Sequence, residues 1–103
     1  MDIDSLRKKI DELDIQLVRL LSQRAELARE IGKIKSGLQM PIYEPRREAV
    51  VFDNVRKNNH GPLPNAELIQ VFERIIDVMR KIQREEISPE EPLNGNSGTE
   101  END

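Results

Sequence analysis

A chain of 103 residues with 35% charged and 3% aromatic side chains, and with neither Cys nor Trp, has room for one domain with a modest core. This composition favours helices over a β-sandwich, excludes disulfides and thiolate metal sites, and suits a reducing compartment. The formal charge of −4 comes from the end of the chain: Ser88 onward holds five acidic and no basic residues, leaving 15 acidic against 16 basic ahead of it. A near-neutral folded part lacks the basic excess of a nucleic-acid binder. The opening Met-Asp-Ile-Asp-Ser has neither part of a signal peptide, and no apolar run reaches membrane-spanning length. The expectation is a soluble, cytoplasmic protein with no nucleic-acid or membrane partner.

Asp4 to Lys35 is predicted as one long helix, capped by Asp4 or Ser5. Its apolar residues Ile3, Leu6, Ile10, Leu13, Leu17, Leu20, Leu27, Ile31 and Ile34 alternate at three and four, the spacing of a seam that packs on other helices. A helix of roughly 32 residues is about 48 Å long at 1.5 Å per residue. A compact domain of about 100 residues has a radius of gyration near 13 Å, so this helix overshoots its own domain. A second copy covering the excess makes a homodimer the natural solution. Gly37 suits the helix C-cap, and Pro41 keeps Met40 extended.

The second helix is predicted from about Glu44 to Asn58, with Pro45 in its first turn and Val51, Phe52 and Val55 as its apolar side. Asn58-Asn59-His60-Gly61-Pro62 breaks it. The third opens near Pro64-Asn65 and runs to about Glu86, with a stripe through Leu68, Phe72, Ile75, Ile76 and Met79 that reaches Gln83. Residues 1–87 form the expected domain; residues 88–103 have the composition of a disordered acidic tail.

Several polar residues fall on apolar faces. Arg24 sits in the seam between Leu20 and Leu27, where a guanidinium is costly unless an anion meets it. Lys35, eleven residues on, lies on nearly the same side about 16 Å away. Arg7 precedes Arg24 by seventeen residues, about 25 Å, and can share a ligand with it only from a partner subunit. Glu44, Arg47 and Glu48 share one face of helix two, and Gln83 adds an amide that donates and accepts. Taken singly, each has a plain reading: register, helix dipole, surface ion pair or stripe edge. Together they suit a small dianion with a hydroxyl, handled by positioning and electrostatics. No Gly-rich phosphate loop is present, and the only His, His60, sits in a turn.

The ordered set Leu6-Arg7-Lys8-Lys9-Ile10-Asp11-Glu12-Leu13-Asp14, Leu20-Leu21-Ser22-Gln23-Arg24-Ala25-Glu26-Leu27-Ala28 and Ile31-Gly32-Lys33-Ile34-Lys35 closely resembles the first helix of the all-helical chorismate mutases. The likeness continues through Ile42-Tyr43-Glu44-Pro45-Arg46-Arg47-Glu48 to Ile75-Ile76 and Gln83, covering about residues 3–86. It implies an all-α, intertwined homodimer of three-helix chains that rearranges chorismate to prephenate, toward Phe and Tyr, without cofactor or metal. Arg24 and Arg7 of the partner subunit would each hold a substrate carboxylate. Lys35 and Gln83 would donate to the ether oxygen. Glu48 would accept from the ring hydroxyl, assisted by the backbone at Glu44, and Arg47 would steady these groups.

Two departures stand out: Met79 replaces a small hydroxyl residue, and Glu44 a frequent Asp. The chain has no room for the dehydratase, dehydrogenase or synthase domains to which such mutases are sometimes fused, so it is expected to be free-standing. The rivals are an isochorismate pyruvate lyase on the same fold, disfavoured by the intact Glu44-Arg47-Glu48 set, and a non-catalytic regulatory partner that binds chorismate or prephenate. A plain coiled-coil adaptor leaves Lys35, Glu48 and Gln83 unexplained.

Overall fold

The computed structural model describes residues 2–87, and the expected tail lies outside them. Its described residues form three helices and no strand: α1 (Ile3–Leu38), α2 (Pro45–Asn58) and α3 (Asn65–Ile87). No helix among them is long and apolar enough to cross a membrane. Helices α1 and α2 each pack on α3.

The ends of α1 differ from expectation by a few residues. Its N-cap is Asp2, not Asp4 or Ser5: extended Asp2 accepts the Ser5 backbone N–H at 2.8 Å. Three capping residues stand close together here, and the earliest that satisfies an orphan N–H sets the start. Gly37 does not end the helix. Gln39 takes the left-handed conformation (φ 56°), and Met40 N–H closes back on Lys35 O at 2.9 Å. Pro41, by holding Met40 extended, sets the stop two residues past the glycine. Pro45 starts α2 as predicted, and the cap position before it is Glu44, whose side chain makes no capping bond.

Burial divides α1 unevenly. From Ile3 to Gln23 every residue is exposed, Leu13 at 57% and Leu20 at 61%. Past Arg24, the buried stripe is Ala28, Gly32 and Lys35, not the aliphatic seam, and Leu27 and Ile34 stay open to solvent. Small residues at i and i+4 let two helix backbones approach closely. Gly32 shows how closely: a Cβ there would lie 2.9 Å from Gln83 Cα and 3.0 Å from Gln83 O. The apolar core is slender, made of Ala28, Ile76 and Met79, with Phe72, Ile75, Val51 and Phe52 half-buried around it. The shape is correspondingly extended, with a radius of gyration of 16.7 Å and a long dimension of 53 Å.

Asn59 organises the α2–α3 turn. Its amide donates to Leu63 O at 2.8 Å and to Asn65 Oδ1 at 2.7 Å, while its Oδ1 accepts Gly61 N–H at 3.0 Å. Gly61 at φ 78° occupies the region that favours glycine. His60 is exposed in this turn.

Candidate active site

All three helices meet around a cavity of about 360 Å³, within the range of small-ligand sites. Its polar wall holds Arg24 and Lys35 from α1, Glu44, Arg47 and Glu48 from the start of α2, and Gln83 from α3. Ala28, Ile31, Val51, Ile76 and Met79 form the apolar wall. Six of the seven residues singled out from the sequence therefore share one space. Arg7 does not reach it: it lies exposed on α1, about 25 Å before Arg24 by helix rise.

Lys35 is the most deeply placed charge, 5% exposed. Its Nζ donates to Gln83 Oε1 at 3.1 Å and to Ile42 O at 3.2 Å, and pairs with Glu44 Oε1 at 2.8 Å. A buried ammonium has three N–H donors, and here each has an acceptor. These contacts draw on α1, the α1–α2 linker, the α2 cap and α3. They also explain the uncapped start of α2, because the Glu44 carboxylate turns to Lys35 instead of its own helix.

Arg24 is in the opposite condition. Half-buried, it has no ion-pair partner among the described residues, and neither has Arg47. Burial, and secondarily the charge of Arg47, push its guanidinium below the ordinary value. Two uncompensated cations on one cavity attract an anion, which relieves both their repulsion and the cost of desolvation.

Arg80 is a cavity residue absent from the sequence reading. Its Nε lies 3.4 Å from Glu48 Oε2, its Nη2 bonds Asp77 Oδ1, and its guanidinium sits 5.4 Å from the centre of the Tyr43 ring. A signal for it existed: Arg80 is three residues before Gln83, hence on a neighbouring strip of α3. Within Met-Arg-Lys it reads as ordinary surface. Among the described residues, no cluster of three or more His, Cys, Asp or Glu is placed to hold a metal ion.

The profile of the family described as chorismate mutase type II matches residues 6–84. The chain is 34% identical over 82 residues to a chorismate mutase of Methanocaldococcus jannaschii, covering 78% of this chain and 82% of that protein. It is 34% identical over 87 residues to a bifunctional chorismate mutase/prephenate dehydratase of Aquifex aeolicus, covering 81% of this chain but only 24% of that larger protein. A chorismate mutase structure from Thermus thermophilus (Form II) superposes with a TM-score of 0.77 at 32% identity, covering 80% of this chain and 93% of the other. By profile, sequence and fold, the chain belongs to the chorismate mutase type II family.

Proposed function

We propose that residues 1–87 form a chorismate mutase unit that rearranges chorismate to prephenate. The observation that carries this reading is the cavity's charge balance. Arg24, Lys35, Arg47 and Arg80 stand against Glu44 and Glu48, an excess of two positive charges facing a substrate with two carboxylates. Arg24 holds one carboxylate and helps select the folded conformer that reacts. As the C–O bond breaks, charge grows on the ether oxygen, where Lys35 and Gln83 donate more strongly than in the ground state. Glu48 accepts from the ring hydroxyl beside the Glu44 backbone, and Arg47 steadies the groups. No side chain exchanges a proton or forms a bond with substrate, and no cofactor takes part.

The same reading makes the working form an intertwined homodimer. At 100° per residue, the exposed apolar residues of the first half of α1, from Leu20 around to Ile15, span roughly 220° of its circumference. A surface helix needs an apolar stripe only about 100° wide, so this arc calls for cover on more than one side. A second α1 crossing antiparallel supplies it and brings Arg7 of the partner subunit to the second carboxylate. A cytoplasmic setting without nucleic-acid or membrane partners completes the reading.

The test is chorismate consumption followed in the ultraviolet, with products separated by chromatography and isochorismate run in parallel. Prephenate at an enzymatic rate is the expected result. Pyruvate from isochorismate with little prephenate would replace the mutase by a lyase. Saturable binding without turnover would leave a regulatory chorismate- or prephenate-binding partner.

A further inference from the structure

We propose that Arg80 is a positioning residue of this site: a clasp on α3 that fixes the Glu48 carboxylate of α2 and, through Tyr43, the linker between α1 and α2. This rests on the mutase reading for its kinetic consequence, though not for its geometry. Glu48 is largely buried, with 20% of its side chain exposed, and Arg80 is its sole ion-pair partner among the described residues. A carboxylate on three rotatable bonds has no set direction unless something holds it, and in a half-buried wall a nearby guanidinium does so most strongly.

Arg80 is itself held on two further sides. Asp77, one turn earlier on α3, bonds its Nη2. The Tyr43 ring faces the guanidinium at 5.4 Å, a cation–π contact. Tyr43 lies between Ile42, whose carbonyl accepts from Lys35, and Glu44, whose carboxylate pairs with Lys35. The clasp therefore reaches both ends of the proposed reaction geometry: Glu48 directly, and the acceptors around Lys35 through the linker. The Arg80 Nε is buried without a hydrogen bond, so its 3.4 Å approach to Glu48 is electrostatic and leaves that carboxylate free to accept from a ligand.

The chain contains one Tyr and no Trp, so its near-ultraviolet tyrosine signal reports Tyr43 alone. The experiment compares Arg80→Gln, Arg80→Lys and the exposed control Arg84→Gln by three readouts. These are tyrosine circular dichroism, the ¹³C shift of the Glu48 carboxyl, and steady-state kinetics on chorismate. Arg80→Gln should move both spectroscopic signals and raise KM about tenfold with kcat little changed, as for loss of one charge-assisted contact made in ground and transition states alike. Arg80→Lys should recover much of the KM but not the tyrosine signal. In a Glu48→Gln background, Arg80→Gln should add little. Unmoved Glu48 and Tyr43 signals, an unchanged KM, or full additivity with Glu48→Gln would each overturn the proposal. If the unsubstituted protein does not turn over chorismate, the mutase reading fails, and the clasp is decided on the two spectroscopic signals.

Discussion

Past Arg24, α1 packs on α3 and buries Ala28, Gly32 and Lys35; from Ile3 to Gln23 the same helix buries nothing within its own chain. The aliphatic three-four repeat runs through both halves and is exposed in both. Contact within the chain is instead made by a separate stripe that is nearly devoid of apolar bulk. Two faces are thus written on one helix: a narrow, small-residue face places a buried ammonium, and a broad aliphatic face stays exposed within the chain. The strength of each face can be probed separately.

The largest effect belongs to the narrow face. Lys35→Ala should lower kcat/KM for chorismate by about 10²–10³-fold, the usual loss for one electrostatic donor, with helical circular dichroism preserved. An unchanged kcat/KM would end the role assigned to Lys35. The broad face is tested next. Arg7→Ala and Arg24→Ala chains, each inactive alone, should recover roughly a quarter of full activity when mixed statistically, because one site in each two-fold heterodimer keeps both arginines. No recovery in verified heterodimers would sink the shared site.

Two glycines sharpen the contrast further. Gly32→Ala drives a methyl group into the α3 backbone and should destabilise the fold by about 1–3 kcal/mol on thermal unfolding. Gly37 has nothing within 4 Å of an added Cβ, so Gly37→Ala should stabilise by up to about 1 kcal/mol through helix propensity. The smallest effect is at the N-cap. The Ser5 backbone N–H holds the Asp2 carboxyl below its ordinary value of 3.8. A depressed acid stabilises the fold above its unfolded pKa and loses that contribution as pH falls through the folded one. Asp2→Asn should therefore flatten slightly the fall in Tm below about pH 4; an identical acid profile would remove the cap from the account.

Helix existence and order were legible because each helix carries a long apolar period bounded by Gly or Pro. The ends were less so: Asp2, Asp4 and Ser5 can all cap, and Gln39 takes the left-handed turn although Gly37 is the better residue for it. Arg24, Lys35 and Gln83 stand out as polar residues on apolar faces, and Glu44, Arg47 and Glu48 as one shared face of a helix. Singly each has a plain reading; their ordered likeness to the chorismate mutases joins them, and one cavity is lined by all six. Arg80 does not stand out. Its partners Tyr43 and Glu48 lie more than thirty residues away, and a local period carries no record of such contacts. Gly32 is alike in this: helix propensity alone marks a glycine inside α1 as a weak point, and only the crossing with α3 shows what its missing side chain permits.

The three filled N–H bonds of Lys35 have a consequence for binding thermodynamics. The long ammonium stem is immobilised when the chain folds, so its conformational entropy is not lost again when a ligand arrives. An acceptor that reaches Nζ must take the place of Ile42 O, Gln83 Oε1 or Glu44 Oε1. The free energy at that atom is then a difference between two acceptors, small when the newcomer is a neutral ether and growing only as negative charge gathers on it.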